Sequence, residues 1–166
     1  MKELYTSILD RKADEINIEA WGAELDNFAE CENDEALIHS VVKHILEANR
    51  QDPQFHKLML QAALSRHPLS KITAHRLLPL HRFLSDYIKK RRKKGVFQKC
   101  DPKLAAYAIV GVPSYFGFAK VIFGVDDLKL SEDRMASGIT QIILEGLNAP
   151  DGAANKKGCL KNMGVG

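Results

Sequence analysis

Strand signals are nearly absent from this 166-residue chain: it has no sustained alternation of apolar and polar residues and no Asn-Gly hairpin turn. Cysteine is as scarce. Cys31, Cys100 and Cys159 are far apart, odd in number and form no CxxC pair. That argues against a disulfide framework or a structural zinc site, and makes a reducing, cytoplasmic setting the easier reading. The amino terminus is too charged for a secretory signal. Charge of one sign is also lacking, since 24 basic against 21 acidic residues leave a net +3, too mild to point to nucleic acid by itself. Nor is there a Gly-x-Ser-x-Gly elbow, a phosphate-cradling glycine loop or a recognisable Cys/His pair, so no enzymatic activity and no cofactor are expected. The six histidines stand at 39, 44, 56, 67, 75 and 81. None has a partner at the i, i+4 spacing of a helical zinc site, and no metal is expected.

Helical periodicity, by contrast, recurs from end to end. The first helix is expected from Lys2 into the twenties, with Leu9, Ala13, Ile16 and Ala20 as its apolar stripe. Asn33 is placed to cap a second helix whose Leu37, Val41 and Ile45, flanked by Ile38, Val42 and Leu46, give a wide buried face. Asp52-Pro53 combines an N-cap carboxylate with proline at the first helical position and starts a third. Ser70 is placed to cap a long fourth helix that ends in the basic run Lys89–Lys94 and stops at Gly95. Asp101-Pro102 repeats the start signal for a fifth helix ending at Gly124, and Ser131 opens a sixth. The prediction is an all-α domain over residues 1–147, a six-helix bundle, followed by a tail over 148–166 rich in glycine and asparagine.

The fifth helix is the oddest element. Lys120 is the only charge between Leu104 and Val125, a run just long enough to span a bilayer. Pro113, Gly111, Gly117 and the lone lysine argue against a membrane. Ala105, Ala108, Gly111 and Ser114 recur every three residues and leave one face nearly smooth, so that another helix can approach closely. A helix apolar all round must be covered all round. Core on one side and a second subunit on the other is the expectation.

Three segments, in order, resemble one family. "GVFQKCDPKLAAYAIVG" is similar to the Gly-x-Phe-x-x-x-Asp-Pro-x-x-Ala-Ala stretch of TetR-type transcriptional regulators, which joins a long helix to the first of two dimer-forming helices. "ITQIILEGL" resembles that family's closing helix, and "KELYTSILDRKADE" the helix that directly follows its DNA-binding head. The resemblance implies a homodimer built on a four-helix interface, for which Ala105, Ala108, Val112, Phe116, Met135, Ile139, Ile142 and Ile143 are candidates. It also implies that operator DNA is met only through a helix-turn-helix head, for which this chain has no segment. The nearest approach, "ALSRHPLSKITAHR", carries Pro68 in its turn and no recognition helix after it.

Pro79 and Pro113 fall mid-helix, where each removes a hydrogen bond and disturbs packing with its neighbours. The family keeps its effector pocket among these helices, so a mainly apolar cavity near both prolines is expected. It would be lined by Trp21, Met59, Ala63, Leu78, His81, Arg82, Tyr115 and Phe116 and filled by a small apolar or aromatic effector. The run "KKRRKK" invites a nucleic-acid reading, but a solvated helix end whose cations complement the macrodipole is the plainer one. A stand-alone helical interaction module with no DNA role remains the alternative to a ligand-sensing repressor domain.

Overall fold

The computed structural model describes residues 18–65, 68–125 and 129–149. Expectations for residues 2–17, the Ser70 side chain and the tail beyond Ala149 lie outside the described residues. Within them six α-helices follow one another: α1 (Ile18–Glu30), α2 (Asp34–Gln51), α3 (Pro53–Leu64), α4 (Pro68–Lys93), α5 (Pro102–Phe118) and α6 (Glu132–Leu147). A π-helical turn, Ala119–Phe123, extends α5. No strand occurs among the described residues; one antiparallel bridge joins Phe97 to Asn148. The fold is the all-α bundle that the periodicity predicts.

Local chemistry sets the helix ends. The Asn33 carboxamide accepts the Ala36 N–H at 3.1 Å, and the Asp52 carboxylate accepts the Phe55 N–H at 2.9 Å with Pro53 beside it. Asp101 accepts from both Lys103 and Leu104, at 2.8 and 3.1 Å. Each satisfies donors that a helix start leaves orphaned. Two stops are glycines in the left-handed region, Gly95 at φ +73° and Gly124 at φ +67°, where a side chain would be strained. α4 differs from expectation by starting at Pro68 rather than after Ser70, proline being well suited to the first helical position. α1 runs through Gly22 without a break.

α2 is the central element. α1, α5 and α6 all pack on it, while α4 lies against α5 and α3 against α4. Leu37, Ile38, Val41 and Val42 of α2 are fully buried against Leu84 and Ile88 of α4 and Ile109 of α5. Each such side chain stabilises the fold by about 1.5–3 kcal/mol relative to exposure. Two ion pairs pin the start of α6 to α2: Lys43 to Asp133 at 3.0 Å and Arg50 to Glu132 at 2.7 Å. At the other end, Gln98 N–H donates to Leu147 O at 2.7 Å and Ala149 N–H to Val96 O at 3.0 Å. The α4–α5 connection is thereby tied to the chain leaving α6.

The basic run divides. Lys89, Lys90 and Lys93 are exposed, as a solvated helix end requires. Arg91 is not: it is buried, with Nη1 2.6 Å from Glu32 and Nη2 2.7 Å from Asp34. Tyr87 donates its hydroxyl to the same Asp34 at 2.6 Å, and Lys94 bonds Glu32. The wholly solvated reading is corrected at Arg91, because the α1–α2 turn supplies two carboxylates to receive it. Burial, with the Asp34 hydrogen bond behind it, raises the Tyr87 hydroxyl far above the ordinary phenol range. Cys100 is a free thiol, half-buried.

Candidate effector cavity

A cavity of about 590 Å³ opens where the ends of several helices meet. Leu46, Asn49 and Arg50 come from the last turns of α2, and Pro53 from the start of α3. α5 contributes Tyr115, Phe116 and Gly117, and the π-helical turn adds Ala119 and Lys120. Val125, Leu130, Glu132 and Met135 close the far side. The volume lies within the range of about 300–1,000 Å³ typical of small-molecule sites. A π-helical turn in the wall fits the tendency of such turns to occur at functional sites.

One close approach shapes the cavity floor. A Cβ built on Gly117 would lie 2.2 Å from Asn49 Cγ and 2.5 Å from its Cβ. Only glycine lets α5 pass α2 at this distance. Asn49 is 7 % exposed, and its amide nitrogen donates to Ile45 O at 2.8 Å. One turn earlier on α5, beside buried Pro113, the Ser114 hydroxyl donates to Val110 O at 2.7 Å.

The residues named from sequence as effector contacts fall into separate places. Tyr115 and Phe116 line the large cavity. Leu78, His81 and Arg82 line another cleft of about 300 Å³ between α4 and the start of α5, with Ser85, Asp86, Lys103 and Tyr107. There His81 and Tyr107 face each other with ring centroids 4.3 Å apart. Each opening thus lies within a turn or so of one mid-helix proline, and the two are not one site. Ala63 is exposed and lines neither opening; the Met59 side chain lies outside the described residues. Trp21 is engaged elsewhere. It stacks on His44 with centroids 3.9 Å apart and planes 6° from parallel, and its indole N–H donates to Ser40 at 3.0 Å. Ser40 donates in turn to Glu24 at 3.1 Å. Burial pushes His44 below the ordinary imidazole value.

Asn49, Arg50, Lys120 and Glu132 are the polar wall residues that sequence reasoning missed. Asn49 alone left a signal: it follows Val42 and Leu46 on the buried stripe of α2, where an apolar residue is the default.

The candidate interface residues also divide. Ile139 is buried within the chain, while Ala105, Phe116, Met135 and Ile143 are half-buried against the core. Ala108, Val112 and Ile142 are exposed. With them on the outer face stand two residues that were not interface candidates, Leu104 at 72 % and Tyr115 at 64 % exposure, while Ile142 itself is 71 % exposed. Leu104, Ala108, Gly111, Val112 and Tyr115 follow one another at spacings of one to four residues and form one stripe along α5.

Among the described residues no helix is long and apolar enough to cross a membrane, and no three His, Cys, Asp or Glu side chains are grouped to hold a metal ion. No family model matches the chain, and no curated protein matches it in sequence.

Proposed function

We propose that this chain is the effector-binding and dimerisation part of a TetR-like transcriptional regulator, a cytoplasmic repressor that senses a small, mainly apolar or aromatic molecule. One observation carries the reading. Tyr115 lines the 590 Å³ cavity and also stands exposed on the apolar outer stripe of α5, so one side chain belongs to both the ligand site and the face a second subunit would cover. Leu104, Val112 and Ile142 are large apolar side chains left to solvent on that side, and a second copy gives them a partner. A ligand between the ends of α2, α5 and α6 acts on the helix that carries α1 through Trp21, Ser40 and Glu24. In the parent protein α1 leads toward the DNA-binding head. Ligand then shifts the population between DNA-competent and incompetent arrangements, provided it binds the two unequally.

Sedimentation velocity at micromolar concentration tests the dimer. A species of twice 18.6 kDa is expected, converted to monomer by Ile142→Arg without loss of helical signal. A wild-type chain that sediments only as monomer overturns the reading. The same outer face would also serve a stand-alone helical interaction module. The reading frame upstream of the Met1 codon separates the two: an in-frame helix-turn-helix of about fifty codons belongs to the regulator.

A further inference from the structure

We infer that the cavity takes an amphipathic monoanion, an apolar chain or ring system ending in a carboxylate, with that carboxylate seated on Arg50. The inference rests on the effector-cavity reading and adds the ligand's chemical class. Arg50 borders the cavity and meets Glu132 through Nε alone, 2.7 Å from Oε1. Among the described residues its two terminal nitrogens have no further partner. A guanidinium offers its donors in a planar fork, and the end-on pair of N–H groups matches a carboxylate two bonds at a time. Glu132 holds the side of that fork and leaves its end open, so the group is positioned before a ligand arrives.

The rest of the wall suits the rest of such a ligand. Leu46, Phe116, Ala119 and Met135 line the same cavity and offer apolar surface. At this end of the wall the charged groups are Arg50 and, paired with its Nε, Glu132. A cationic head group would meet like charge at this end, and a neutral one would leave the fork unused. An anion gains charge-assisted hydrogen bonds there, about twice as strong as neutral ones.

Isothermal titration of the full chain with decanoate, decanol and decyltrimethylammonium tests this. Decanoate is expected to bind saturably and at least about tenfold more tightly than decanol, the size of effect that hydrogen bonds to a charged group supply. Arg50→Gln should remove that advantage while leaving decanol binding unchanged. Arg50→Lys, which keeps the charge but loses the planar fork, should retain only part of that advantage, and it keeps the test open should Arg50→Gln fail to fold. Decanol binding as tightly as decanoate, or decanoate affinity indifferent to both variants, overturns the anion assignment while the apolar effector cavity stands. Failure of all three probes to bind overturns the cavity reading with it.

Discussion

Glu32 shows what a single residue does at a junction. It takes a left-handed backbone, φ +55°, a conformation uncommon for a residue with a Cβ, and its carboxylate receives both Arg91 and Lys94. The Lys94 hydrogen bond foremost, with the Arg91 charge behind it and burial opposing, holds Glu32 below the ordinary carboxylate value. A carboxylate whose folded pKa is depressed contributes stability that is present above its unfolded pKa and lost as pH falls through the folded one. The melting temperature should therefore decline as pH drops from about 5 to about 3, and Glu32→Gln should make that decline shallower. An unchanged slope in the variant would remove Glu32 from the account. None of this was legible beforehand. Six consecutive basic residues look alike in sequence, and only the α1–α2 turn, some sixty positions away, distinguishes Arg91 from its neighbours.

At the scale of elements, the starts and stops were readable because they depend on chemistry within four residues. Asn33, Asp52, Asp101, Gly95 and Gly124 all act where the sequence placed them. How the helices face one another was not. α5 is apolar nearly all round, so its pattern gives no preferred side, and only its packing on α2 distinguishes the outer stripe of Leu104 and Tyr115. The candidate cavity suffered for the same reason: residues beside Pro79 and Pro113 were grouped into one site, whereas they line two. Gly117, noted in sequence only as a small residue, sets the crossing of α5 over α2. Gly117→Ala should lower unfolding stability by about 1–3 kcal/mol, the usual cost of overpacking, because the added methyl meets Asn49 near its backbone end, where no rotamer change clears it. Chemical denaturation measures this directly, and a variant as stable as the parent would show that the two helices separate freely.

The whole molecule presents a covered face and an uncovered one. Gly111 lies on the uncovered side, and a Cβ built there meets nothing within 4 Å. In an isolated chain Gly111→Ala should therefore stabilise by up to about 1 kcal/mol, the difference in helix propensity. In a dimer joined along the smooth stripe, the same methyl stands between two backbones. The expected outcome is a higher melting temperature at concentrations where the chain is monomeric, together with weaker self-association by sedimentation. If association is unaltered, the stripe is not the surface through which copies meet.

The stack of Trp21 on His44 has a practical consequence. The chain has one tryptophan, and it sits where α1 touches α2 rather than in the cavity. Its emission therefore records the spacing of those two helices without interference from any ligand lying against Phe116. A molecule that enters near Arg50 and alters that emission has moved α1 from a distance, and the protein needs no added label to report it.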